Sequence, residues 1–167
     1  TPLSSSAASD VYKRQSLDTP VLQLNLPITD RLQKEGNVRF KKFWQRITSR
    51  DLLAHQAGLQ KETPGVRIWN QFTEISDQSY PEEALFFKGI KNMEFVYAPR
   101  ATAHGQKYSN LGYNILAMIL ADLKNPGPQK YWQRFQSIVE NDWVKPLQLK
   151  AGYNLKGWRL AQLAQGY

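Results

Sequence analysis

Residues 47–59 read ITSRDLLAHQAGL and carry the clearest local structural signals in the chain. Thr48 is a typical helix N-cap, and Asp51, three positions later, completes a variant of the capping box. Leucine and alanine side chains give the segment an apolar face, and Gly58 suits the position just after a helix, where φ is positive. The pattern therefore predicts a helix over residues 48–57 that ends at Gly58.

A second informative segment, YSNLGY at residues 108–113, runs directly into the apolar stretch 111–123. That stretch is shorter than the roughly 20 residues that cross a bilayer, so it is typical of a buried core helix. In an extended backbone, residues two positions apart point the same way, so we expect Tyr108 and Asn110 to lie together at the mouth of a concave surface. Asn110 has two possible roles, as the N-cap of the helix or as a functional side chain.

The remaining chain is interpreted as mostly helical. A helix from Ser79 to about Gly89 is expected, because Ser79 and Glu82 form a capping box around Pro81. Aromatic and aliphatic residues at helical spacing predict a core helix over residues 129–145, opened by Gly127-Pro128. Residues 16–29 suggest an extended segment or short helical turn packed on the surface, and 91–107 an irregular stretch.

Composition limits the possible functions. The chain has no cysteine and two histidines, so no disulfide or thiolate metal site is expected, and no metal or other cofactor is predicted. The net charge of +8 raises the possibility of a nucleic-acid-binding domain. The basic residues are scattered, however, which favours a solvated surface and predicts no nucleic-acid partner. The densest basic group is Arg39, Lys41, Lys42 and Arg46.

Residues 1–15, TPLSSSAASDVYKRQ, differ from the rest of the chain. They are rich in serine and alanine and show no amphipathic period, so we interpret them as a non-native or disordered leader. The domain itself is expected over residues 16–167. No apolar run is long enough to predict a transmembrane segment.

The two motif segments resemble conserved blocks of one serine hydrolase superfamily. Residues 47–59 resemble its ITIRHLLTHTSGL block and residues 108–113 its YSNxGY block. Further on, 146–149 (PLQL) and 164–167 (AQGY) are similar to its PLGM and A-x-GY segments. The superfamily comprises class C β-lactamases, penicillin-binding proteins and family VIII esterases. This resemblance implies an α+β fold of the β-lactamase/transpeptidase type, of which the chain would cover the mainly α-helical lobe, with most of the sheet missing.

The resemblance also implies acyl transfer by a Ser-x-x-Lys nucleophile, a Tyr-x-Asn pair and a Lys/His-x-Gly strand. Tyr108 would belong to the base that activates the serine, and Asn110 would orient the lysine and hold the substrate. The expected substrates are esters, β-lactams or peptidoglycan peptides, and a periplasmic or secreted location is favoured. His55 is expected to have a structural role, although a helix histidine beside a glycine could be a general base. His104 is expected to be exposed.

Three departures from the superfamily pattern stand out. Ser-x-x-Lys is absent from the sequence, and residues 17–21 (LDTPV) resemble the segment that follows it, so the nucleophile is expected upstream. The superfamily's C-terminal Lys/His-x-Gly strand is expected beyond Tyr167, and Pro99-Arg100 replaces the usual Pro-Gly. We therefore expect this chain alone to be inactive. A non-catalytic penicillin-binding-like module is the alternative from another functional class.

Overall fold

The structure is a computed structural model that describes residues 16–63, 83–101 and 107–149. Within these ranges the chain is mostly helical, and β pairing is limited to the isolated bridges Pro20–Thr48 and Leu59–Phe95. This agrees with the helical part of the expected α+β fold. The helices are α1 (Pro27–Glu35), α2 (Lys41–Trp44), α3 (Ser49–Leu53), α4 (Glu83–Lys91), α5 (Asn110–Lys124) and α6 (Tyr131–Val139). Short 3₁₀ turns occupy Val21–Gln23 and Val38–Phe40, and a π-helical turn occupies Glu140–Val144.

Helix α5 is the centre of the core, as its apolar sequence predicts. It packs against α1, α3 and α6. Fully burying one leucine or isoleucine side chain contributes about 1.5–3 kcal/mol, so this apolar helix is a major source of stability. Its buried residues are Leu111, Gly112, Ile115, Ile119, Ala121 and Asp122.

The short helical turn predicted within residues 16–29 is present at Val21–Gln23, but the predicted surface position is wrong for the buried apolar side chains. Val21 is completely buried, and its N–H donates to the carbonyl of Ile47 at 2.7 Å. Pro27 starts helix α1, a position that suits proline because the first helical N–H has no intrahelical partner. Ile28 and Leu32, one turn apart, both enter the core. The short proline-bounded segment therefore holds buried side chains.

Helix α3 begins as predicted and ends earlier than predicted. The Thr48 hydroxyl accepts from Asp51 N, and the Asp51 carboxylate accepts from Thr48 N, which confirms the capping box. The helix ends at Leu53, and the left-handed residue that follows it is His55, with φ 55°. His55 N and Gln56 N bond back to the carbonyls of Leu52 and Asp51, the pattern of a Schellman cap.

Gly58 has a different function from the predicted helix stop. Its φ of 74° is positive, but it lies in the loop after the cap. A Cβ atom there would stand 2.2 Å from the carbonyl oxygen of Tyr97. Glycine is therefore required because the segments around residues 58 and 97 approach each other closely.

The predicted helix 129–145 is only partly a core helix. It starts at Tyr131, after an N-cap at Lys130, and its regular part ends at Val139. Tyr131 is buried, whereas Trp132 and Trp143 are 43% and 60% exposed, so the expected aromatic core stripe is wrong for both tryptophans. The π turn that follows changes the helical register, which separates the two ends of the apparent stripe.

Some predictions fall on residues outside the described ranges. These are the leader at 1–15, the helix start at 79–82, His104 and the 164–167 segment. Helix α4 is described from Glu83 onward and includes the expected Gly89. The stretch that follows it has no helix over 92–101 and at 107, as expected, and its only pairing in these residues is the bridge at Phe95.

A buried carboxylate, Asp122 on α5, joins three helices. It accepts from the N–H of Ile28 at 2.8 Å, the hydroxyl of Tyr131 at 3.0 Å and Nη1 of Arg134 at 2.9 Å. It therefore caps the positive N-terminus of α1 while pairing with α6. Burial is the main cause that raises the pKa of Tyr131 above its ordinary value. The negative charge of Asp122 and the hydrogen bond to it raise this pKa further.

Candidate functional site

Tyr108 and Asn110 lie together where α5 begins. The Tyr108 hydroxyl donates to Oδ1 of Asn110 at 2.6 Å. The Tyr108 side chain is 57% exposed, and Asn110 is half-buried. The expected proximity of the two side chains is confirmed, and a concave surface around them stays a prediction.

Ser109, between these two residues, fixes them to the core. Its buried hydroxyl donates to the carbonyl of Gln60 at 2.8 Å and accepts from Gly112 N at 3.1 Å. Ser109 is therefore the N-cap of α5, and the interpretation of Asn110 as the cap is wrong. The Asn110 side chain does not cap the helix, because serine occupies the extended position before it. Asn110 N donates to the carbonyl of Lys61 at 2.8 Å.

His55 supports the same segment from the end of α3. Its Nδ1 accepts from Ser109 N at 3.2 Å, and its carbonyl accepts from Lys107 N at 3.2 Å. The ring centroid lies 4.8 Å from that of Tyr108 and 4.9 Å from that of Tyr113. A ring nitrogen that accepts a backbone N–H carries no proton, so a neutral His55 has its proton on Nε2. These contacts agree with a structural role for His55.

Glu62 is a site residue that sequence reasoning missed. Asn110 Nδ2 donates to Oε1 of Glu62 at 2.5 Å. The asparagine amide thus bonds to Tyr108 through its oxygen and to Glu62 through its nitrogen. No local pattern marks Glu62, since it follows Gly58 in an irregular loop.

The segment that leads to Tyr108 is also held by Arg100. Its Nε and Nη2 donate to the two carboxylate oxygens of Asp51 at 2.7 and 2.8 Å. Burial alone raises the pKa of Asp51, but the bonds from Arg100 and Thr48 outweigh it and hold the pKa below its usual value. Arg100 has φ 60°, the left-handed region that favours glycine, at the position where the superfamily usually has glycine.

Two further properties of the described ranges concern ligands and membranes. No three His, Cys, Asp or Glu side chains there are grouped so that they could hold a metal ion. None of the helices in the same ranges is long and apolar enough to cross a bilayer.

Comparison with known proteins assigns the chain to one family. The β-lactamase family model matches residues 8–153, so the chain belongs to the β-lactamase family. The match begins within the 1–15 segment. Beta-lactamase-like protein 4 of Dictyostelium discoideum is 33% identical over an alignment of 115 residues that covers 65% of this chain. The chain spans 18% of the length of that relative. No solved structure matches.

Proposed function

We propose that this chain is part of a serine hydrolase that transfers acyl groups from esters, β-lactams or peptide amides. Its own contribution to the catalytic machinery is the pair Tyr108 and Asn110. Family membership supports the reaction class. The observation that carries the assignment is the 2.6 Å hydrogen bond between these two side chains at the start of α5.

The proposed acyl transfer also requires a nucleophile from another segment of the protein. A serine hydroxyl is a weak nucleophile and needs a base within about 2.6–3.2 Å. Tyr108 is exposed enough for a serine and a lysine from elsewhere in the protein to reach its hydroxyl. Because the sequence contains no Ser-x-x-Lys, we place the nucleophile in a segment before Leu17.

We also place the Lys/His-x-Gly strand in another segment of the protein, because in the superfamily it lies well after the Tyr-x-Asn block. In this proposal one oxyanion donor is the nucleophile's own N–H, and the second comes from that strand. Each such donor contributes on the order of 2.7–4 kcal/mol to the transition state. The 167-residue chain alone is therefore expected to be inactive.

Covalent labelling tests the proposal. Two proteins are compared: the chain of residues 1–167 and the longer protein encoded by its gene. Each is treated with a fluorophosphonate and with a labelled penicillin, and its mass is then measured by mass spectrometry. We expect no label on residues 1–167 and one label per longer protein, on the serine of a Ser-x-x-Lys motif. A label on any serine of residues 1–167 would show that the nucleophile is misplaced. An unlabelled longer protein would favour a non-catalytic penicillin-binding-like module that binds without forming an acyl bond.

A further inference from the structure

The carboxylate of Glu62 contacts the nitrogen, and not the oxygen, of the Asn110 side-chain amide. Oε1 of Glu62 accepts from Asn110 Nδ2, while Asn110 Oδ1 accepts from the Tyr108 hydroxyl. Glu62 is half-buried, so this bond is partly shielded from water. Two hydrogen bonds therefore connect the three side chains, one from Tyr108 to Asn110 and one from Asn110 to Glu62.

An asparagine amide can occupy its site in two orientations that differ by exchange of oxygen and nitrogen. An ionised carboxylate can only accept hydrogen bonds. With the amide reversed, the Asn110 oxygen would face the Glu62 carboxylate, and two acceptors would stand in contact without a proton. The charge on Glu62 therefore favours the orientation in which Oδ1 faces Tyr108.

We propose that Glu62 is a positioning residue that fixes the orientation of the Asn110 amide and, through it, the direction of the Tyr108 hydroxyl. The catalytic consequence rests on the proposed function, while the orientation itself does not. Backbone bonds hold the two segments in register: Asn110 N and Leu111 N both donate to the carbonyl of Lys61, next to Glu62. The carboxylate and the amide are thus brought together by backbone hydrogen bonds between the two segments.

The orientation is tested by NMR on the chain of residues 1–167. The side-chain NH₂ signals of Asn110 are assigned by their loss in Asn110→Asp, and their solvent-exchange rate is measured. In Glu62→Leu we expect the exchange to accelerate about tenfold or more, because a hydrogen bond to a charged group is lost. Glu62→Gln keeps the size and one acceptor oxygen, so its rate should lie between the other two. Glu140→Leu, the same change on the π turn, is the matched control.

The possible outcomes separate the orientation from catalysis. An unchanged exchange rate in both Glu62 variants, or an equal change in Glu140→Leu, would overturn the positioning role. In the longer protein, Glu62→Leu should lower kcat, and adding it to Asn110→Ala should cause no further loss, because both act through one amide. If Asn110→Ala leaves turnover unchanged while the NMR effect persists, the proposed function fails and the orientation stands.

Discussion

The backbone N–H of Ser109 donates to Nδ1 of His55 at 3.2 Å and joins the end of α3 to the start of α5. His55 can make this bond because its left-handed backbone, φ 55°, turns the chain back after the helix. The same ring lies beside Tyr108. One residue therefore ends a helix, satisfies a backbone donor of a buried residue and supports the tyrosine of the candidate site.

Substitution of His55 should reveal its backbone role. Alanine at a left-handed position costs about 1–2 kcal/mol, whereas asparagine tolerates that region. Both variants lose the imidazole acceptor for Ser109 N, which costs about 1–3 kcal/mol if the donor stays unpaired. We expect His55→Ala to be less stable than His55→Asn by about 1 kcal/mol in urea denaturation. Equal stabilities would contradict the strained turn.

Arg100 should show two opposing effects. Arg100→Ala keeps the left-handed backbone and loses the bidentate bond to Asp51. Arg100→Gly loses the same bond but relieves the backbone, by about 1 kcal/mol. Urea denaturation should therefore rank wild type first, Arg100→Gly second and Arg100→Ala third. Glycine and alanine variants of equal stability would argue against strain at this position.

The Asp51–Arg100 pair should weaken in acid. The folded pKa of Asp51 lies below its usual value, so its contribution is present above the ordinary aspartate pKa of about 4 and is lost as the pH falls through the folded value. The stability difference between wild type and Arg100→Ala should shrink when urea denaturation is repeated from about pH 6 down to about pH 3. A difference that stays constant over this range would rule out the ionised pair as its source.

Among the polar residues of the core, Asp122 should be the one whose substitution lowers folding stability most. Asp122→Ala would leave the buried guanidinium of Arg134 unpaired, at a cost of about 3–5 kcal/mol. The matched control is Asp142→Ala, which breaks the more exposed pair with Lys124 and should cost about 1 kcal/mol or less. Similar losses for the two variants in thermal or chemical denaturation would contradict this assignment.

Local interactions were predictable from the sequence, and distant ones were not. The capping box of α3 joins residues three apart, and α5 follows from a continuous apolar run. The end of α3 was misplaced because glycine is the usual left-handed residue, and the partner that suits His55 to this position, Ser109, is 54 residues away. Glu62 and its partner Asn110 are 48 residues apart, so no short pattern could reveal their contact.

The contact between Tyr108 and Asn110 was predictable because both side chains lie within three consecutive residues. The contacts that hold this pair in place were not predictable, since they join segments that are distant in the sequence. Asp122 shows the same limit, because its bond to Ile28 N spans 94 residues. Resemblance to a family suggested the chemistry proposed for the motif, while the fold shows which residues hold the motif in place.

The most direct test compares two tyrosines that differ in their relation to the proposed chemistry. Tyr113 also lies beside His55, but its hydroxyl donates to the carbonyl of Leu53, away from Asn110. In the longer protein, kcat/KM for a short-chain nitrophenyl ester or a β-lactam should fall about 100-fold or more in Tyr108→Phe, as for loss of a general base. Tyr113→Phe should stay within about threefold of wild type, well short of such a loss. Equal effects in the two variants, or full turnover in Tyr108→Phe, would contradict the catalytic assignment of Tyr108.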